Sequence, residues 1–213
     1  QKERENMNPS IINRKLMRKL DGYHRKADNI INRVVLWING VEFDRSVLVS
    51  GRIFIRNEGK IHIGVGTRIN SASWTNPIGG NDRTYLQIMR GGVLSIGDNS
   101  GISNTAITVA ESVNIGRNVF IGAGCKIYDT DFHPIEAEFR FGDTADITRT
   151  KTKRIIIEDG AFIGGHSIIL KGTHIGENSV IGAGSVVAGN IPANEIWAGN
   201  PARFIKKIKD VMY

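Results

Sequence analysis

A chain of 213 residues with 28 Lys and Arg against 21 Asp and Glu carries a formal net charge of +7 and one cysteine, Cys125. That length suits one main domain with appendages, and a lone cysteine excludes an internal disulfide and a multi-cysteine zinc site. No run approaches the roughly 20 apolar residues of a membrane span, and Gln1-Lys2-Glu3-Arg4-Glu5 lacks the apolar core of a secretion signal, so a cytoplasmic protein is expected.

The charge is uneven. Residues 1–60 hold 13 Lys and Arg against 7 Asp and Glu, whereas the rest holds 15 against 14. Such a positive end attracts anions of any class, and charge alone does not choose among them. Within residues 1–45, a basic N-terminal segment, residues 10–36 read as a helix. Ser10 suits an N-cap, and Ile12, Leu16 and Leu20 recur four apart with Arg14, Lys15, Arg18 and Lys19 between them. Packing against the main domain or a neighbouring subunit is one reading of this helix; peripheral contact with an anionic membrane surface or a charged glycan is the other.

From about residue 46 to residue 190 the dominant signal is a period of six. Ile157, Ile163, Ile169, Ile175, Ile181 and Val187 follow one another at that step; Ile96, Ile102, Val109, Ile115, Ile121 and Ile127 do the same with one extra residue between Ile102 and Val109. Four places after the aliphatic residue stands a small or β-branched one: Val119, Cys125, Ala161, Ser167, Thr173, Ser179 or Ser185. Neither a helix nor a two-residue strand alternation asks for this period. A triangular coil does: each hexad supplies a short strand and a corner, three hexads close a turn, and stacked turns pair as parallel sheets around a continuous core. A weaker version near Ile61-His62-Ile63-Gly64 extends the array back toward Leu48.

The rule lapses between Ile127 and Ile157, where a polar excursion over about residues 131–154 must leave the coil as a loop. It opens with Asp129, Asp131 and His133. Asp131 stands where the hexad wants a small residue, and His133 follows Ile115 by one full turn. Breaking a packing rule with a carboxylate and an imidazole marks a functional site. A neutral imidazole accepts a proton near neutral pH. A serine triad would need a nucleophile beside His133, for which Ser103 and Ser112 are candidates. A zinc site of converging histidines lacks support, since His24, His62, His133, His166 and His174 include no closely spaced pair of the needed kind, and His166 and His174 read as surface residues at outward corners.

The Ile-Gly-x-x-Ser/Ala-x hexads resemble the hexapeptide-repeat family, and that resemblance implies a mainly β fold, a left-handed parallel β-helix. Tyr128-Asp129-Thr130-Asp131-Phe132-His133-Pro134, Ile181-Gly182-Ala183-Gly184-Ser185, Ile191-Pro192-Ala193-Asn194 and Trp197-Ala198-Gly199-Asn200-Pro201-Ala202-Arg203 resemble, in order, the maltose, galactoside and capsular-polysaccharide O-acetyltransferases. The resemblance implies acetyl transfer from acetyl-CoA to a sugar hydroxyl with His133 as general base, Asn104 contacting the acceptor and Asp131 orienting His133, although the galactoside enzymes lack this aspartate. It implies Gly165 and Ala183 as backbone contacts to the cofactor, Arg203 and Lys206 as partners of its phosphates, and Phe162, where many relatives have tryptophan, at the acetyl end of the channel. Residues 191–213 become a C-terminal cofactor-site tail or short helix. The implied partners are a sugar or polysaccharide acceptor and two further copies of the chain, a homotrimer with sites at its interfaces; no metal and no nucleic acid are expected. N-acetylation of a nucleotide-linked amino sugar and a non-catalytic scaffold remain the alternatives.

Overall fold

A computed structural model describes residues 9–141 and 146–210 of the chain. A helix, Pro9–Ile38, precedes a stack of coils with three flat faces. The first face consists of Glu42–Phe43, Lys60–Ile63, Val93–Ile96, Ser112–Ile115, Ile155–Ile157, His174–Ile175 and Asn190–Ile191. The second consists of Leu48–Gly51, Arg68–Ser71, Gly101–Ser103, Phe120–Ile121, Phe162–Ile163, Val180–Ile181 and Glu195–Gly199, with Ala202–Lys207 added at its edge. The third consists of Phe54–Asn57, Tyr85–Ile88, Ala106–Val109, Lys126–Tyr128, Ile168–Ile169 and Val186–Val187. Every third strand pairs in parallel with its counterpart one coil away, which makes a left-handed parallel β-helix.

The register turns the six-residue period into columns. Ile63, Ile96, Ile115, Ile157, Ile175 and Ile191 stack along the first face. Ile69, Ile102, Ile121, Ile163 and Ile181 do so along the second. All are buried, and each contributes roughly 1.5–3 kcal/mol relative to exposure. The small residues four places on are equally buried, and their hydroxyls bond carbonyls: Ser167 and Ser185 donate to Gly164 and Gly182 at 2.7 and 2.6 Å, and Thr173 donates to Leu170 at 2.6 Å. This is why serine and threonine alternate freely with alanine there.

Four details differ from the sequence reading. The residue paired with Ile127 on the third face is Ile107, five places after Ile102, and Val109 pairs with Ile88; both Ile107 and Val109 point inward because this strand is four residues long. The coil begins before Leu48, with Glu42–Phe43. Ser10 lies inside the helix rather than ahead of it, as Pro9 is already helical; the side chains of residues 10–21, including Ile12, Leu16, Leu20 and the basic residues between them, lie outside the described residues. The described end of the chain is a strand pair followed by a short 3-10 helix, Ile208–Asp210, in place of a tail. Glu195–Gly199 turns at Gly199 (φ +104°) and Ala202–Lys207 returns antiparallel to it, with the rings of Trp197 and Phe204 edge to face at 6.3 Å.

A stack of parallel strands leaves unpaired backbone groups at its first coil. The helix covers that end. Asn32, 1% exposed, donates to the carbonyls of Val49 (3.2 Å) and Gly51 (2.6 Å) and accepts from the amide of Ile53 (3.4 Å). Asp28 accepts from the amide of Gly51 at 3.1 Å and pairs with Arg52 at 2.9 Å. Asn32→Ala would strand three backbone groups under the helix, so we expect a loss of about 2–3 kcal/mol in denaturant unfolding; a change within about 0.5 kcal/mol would show that Asn32 has no capping role.

Candidate functional site

The excursion leaves the coil at the corner between the third and first faces. Asp129 anchors its base: the buried carboxylate accepts from the amides of Ala110 (2.6 Å), Glu111 (2.8 Å) and Ser112 (2.7 Å), the same corner one coil earlier. The neck is then closed by the amide of Asp131 donating to Lys151 (3.1 Å), that of Lys153 donating to Asp129 (2.9 Å), and a bridge between Thr130 and Thr152. Phe132 takes a left-handed backbone conformation, φ +62°, and its ring rests against Tyr128 at 5.4 Å. A bulky residue rarely adopts that conformation, and such strain collects at functional sites. Immediately after it His133 turns out to solvent.

His133 lines a cavity of about 560 Å³ together with Asp131, Pro134, Ile135, Arg140 and Phe141. Asp131 shares that cavity, but its closest partner is Lys171, one coil on, at 2.9 Å. Its other oxygen is buried without a hydrogen-bond partner among the described residues. The sequence reading set Asp131 to orient His133; here it is paired with a lysine that no local pattern announces. Ser103 and Ser112 do not line this cavity, and Ser103 accepts from Asn70 at 3.1 Å.

The remaining expected site residues lie elsewhere on the coil. Gly165 and Ala183 occupy successive coils at the corner between the second and third faces. Their amides have no acceptor among the described residues, and Ala183 is exposed, so this corner offers two free N–H groups, with the side chain of Ile78 beside Gly165. Gly164 shows how tight the stacking is: a Cβ there would lie 2.5 Å from the amide nitrogen of Ala183. Phe162 projects outward on the second face in one column with Val180, Ile196 and Lys206, and Arg203 is exposed on the same terminal strand. The cavity at His133 takes none of Phe162, Gly165, Ala183, Arg203 or Lys206. One chain therefore presents the imidazole at one corner and the candidate cofactor groove at another.

Asn104 is placed differently from its expected role. It is 1% exposed, accepts from the amide of Ala72 (3.1 Å) and donates to the carbonyl of Asn76 (3.0 Å), and it packs under Gly79, where a Cβ would meet it at 2.5 Å. Its polar atoms hold a second excursion, between Ser71 and Thr84, which sequence reading passed over. That loop brings Ile78 next to Gly165, and the carbonyl of Ile78 lies 2.9 Å from Nε2 of His166. Its signal was visible as a gap in the hexads holding Asn76-Pro77 and Gly79-Gly80. His174 lies in a first-face strand, 2.7 Å from Glu158, and not at a corner. Among the described residues no three His, Cys, Asp or Glu side chains are grouped to hold a metal ion. Cys125 is buried, and burial pushes its thiol up to about 11, which keeps it protonated and unreactive near neutral pH.

Comparison with known proteins agrees with the coil. A family model described as the hexapeptide repeat of succinyl-transferase matches residues 154–188. The lipopolysaccharide biosynthesis O-acetyl transferase WbbJ of Escherichia coli, so named, is 32% identical over 162 residues, 72% of this chain and 75% of that one. The galactoside O-acetyltransferase of E. coli is 37% identical over 110 residues, 51% of each chain, so the chain spans only about half of that enzyme. Among solved structures AntD, an N-acyltransferase from Bacillus cereus in complex with dTDP and 3-hydroxybutyryl-CoA, is similar with a TM-score of 0.66 and 27% identity, covering 82% of this chain and 87% of that one. On its repeat, its coil and a relative matched over three quarters of its length, the chain belongs to the hexapeptide-repeat acetyltransferase family.

Proposed function

We propose that this protein transfers an acetyl group from acetyl-CoA to a hydroxyl of a cell-surface polysaccharide sugar or its precursor, with His133 as general base. The observation that carries this reading is the strained turn at Phe132, which aims an exposed imidazole into the cavity at the neck of the excursion. Neutral His133 takes the proton of the acceptor hydroxyl. The oxygen attacks the thioester carbonyl, the carbon–sulfur bond breaks, and the departing thiolate recovers the proton from the imidazolium; no acyl-enzyme is needed. The likeness to sugar O-acetyltransferases supports this acceptor class.

Acetyl-CoA fits the second face and its corner. The amides of Gly165 and Ala183 are free to donate to an extended thioester arm, Phe162 stands at the acyl end, and Arg203 and Lys206 supply cations for the phosphates. From Phe162 to Lys206 is three strand spacings, about 14 Å, a span suited to such an arm. Because His133 sits at another corner, we assign the complete site to an interface between copies, one lending His133 and its neighbour the groove, as in a closed trimer.

N-acylation of a nucleotide-linked amino sugar is the second reading, favoured by the similarity to AntD, whose structures include one with dTDP-4-amino-4,6-dideoxyglucose and coenzyme A. An amine can be neutral before attack and depends less on a base.

His133→Ala should lower acetyl-CoA turnover with a hydroxyl acceptor by about 10²–10⁴ at unchanged melting temperature, and a variant with full activity would remove His133 from the mechanism. Retained turnover with amino-sugar acceptors alone would favour the second reading. Asn104→Ala should cost about 2–3 kcal/mol in unfolding and expose the loop after Ser71 to proteolysis; an asparagine acting on the acceptor alone would change KM and leave stability untouched. Light scattering should return three times the 23.4 kDa chain mass, and a monomer with full turnover would refute the shared site.

A further inference from the structure

The helix over the first coil carries more apolar surface outward than an end cap requires. Among its described side chains, Asp28 and Asn32 bond the coil, Leu36 is buried in the core and Val35 packs against it. Its outward side carries Tyr23, Ala27, Ile30, Val34 and Trp37 at alternating steps of four and three residues, with Ile31 and Ile38 alongside. Tyr23, Ile30, Val34, Trp37 and Ile38 are between 50% and 76% exposed. Isolated exposed apolar residues need no explanation, but a continuous stripe of this length does.

We propose that this stripe lies flat on an anionic membrane surface. The helix is oriented for it: Asp28 reaches Gly51 and Arg52, Arg33 donates to the carbonyl of Arg45, and the carbonyl of Asn39 accepts from Asn57. It thus lies across the coil end with its free side facing away from the stack. Charge fits as well. Pro9–Ile38 contains seven Lys and Arg against two Asp, and Asp28 is turned inward to Gly51 and Arg52. An apolar stripe set in basic sequence, with aromatic residues of the kind enriched at the headgroup level, is the pattern of an interfacial helix. It lies on the bilayer rather than through it, because no helix among the described residues is long and apolar enough to cross a membrane. A second copy of the chain is the rival occupant, and an end-to-end contact would bring two such positively charged helices together.

The test is co-sedimentation of the full chain with vesicles of phosphatidylcholine alone and of phosphatidylcholine with phosphatidylglycerol. The wild type should pellet with the anionic vesicles, less so as salt rises, and stay in solution with neutral ones. Ile30→Glu combined with Trp37→Glu should weaken that binding by about tenfold or more while circular dichroism and light-scattering mass are unchanged; Lys26→Glu should weaken it less. No pelleting of the wild type, or wild-type binding by the double variant, overturns the proposal. A fall in light-scattering mass in the double variant also overturns it and assigns the stripe to a second copy.

Discussion

No single coil of this protein can satisfy its own backbone. Each strand from Glu42–Phe43 to Asn190–Ile191, two to four residues long, borrows its hydrogen bonds from neighbouring coils, and each inward isoleucine borrows its contacts from the same neighbours. Stability is therefore a property of the stack, and insertions are tolerated only at corners, where they do not interrupt a ladder. The stack must also be closed at its ends, where the ladder has no neighbour. Asn32 and Asp28 do this at one end by presenting side-chain donors and acceptors in place of a strand, and the antiparallel return of Ala202–Lys207 covers the last strand of the second face.

That constraint explains what could be read from the sequence. The period of six is legible because each hexad answers the same geometric demand, so the columns of Ile157, Ile163, Ile169 and their successors are fixed by spacing alone. The first coils are harder to read. Their strands are four residues long and turn two side chains inward, as Ile61 and Ile63 do, so a two-residue alternation overlies the period, and the same property places Ile107 where spacing suggested Val109. What sequence could not show is contact between coils. Asp131 meets Lys171 only because one coil separates them in space, and Asn104 meets Ala72 and Asn76 only because the loop after Ser71 folds back over its own corner. A residue out of pattern signals that a rule has been broken without saying which partner broke it: Asn104 and Asp129 bond backbone groups of neighbouring segments.

The same economy positions His133. Asp129 ties the base of the excursion to the corner one coil earlier through three amides, so the loop starts from backbone that cannot drift, and the reversed turn at Phe132 adds direction to that fixed origin. The groove at Gly165 and Ala183 is equally rigid, since a Cβ at Gly122 or Gly164 would collide with the coil beside it. Two rigid half-sites on different corners cannot approach one another by motion within a chain, so the shared site proposed above needs association to supply the proximity that flexibility would supply in another fold.

The stack also sets a distance between its end and its chemistry. His133 follows the fourth strand of the third face, three coil spacings beyond the first, which is about 14 Å at roughly 4.8 Å per coil. A helix of about 10 Å diameter lies below the first coil. With the stripe of Tyr23–Ile38 seated on a bilayer, the imidazole stands roughly 25 Å above it, and the stiffness of the sheets keeps that height constant.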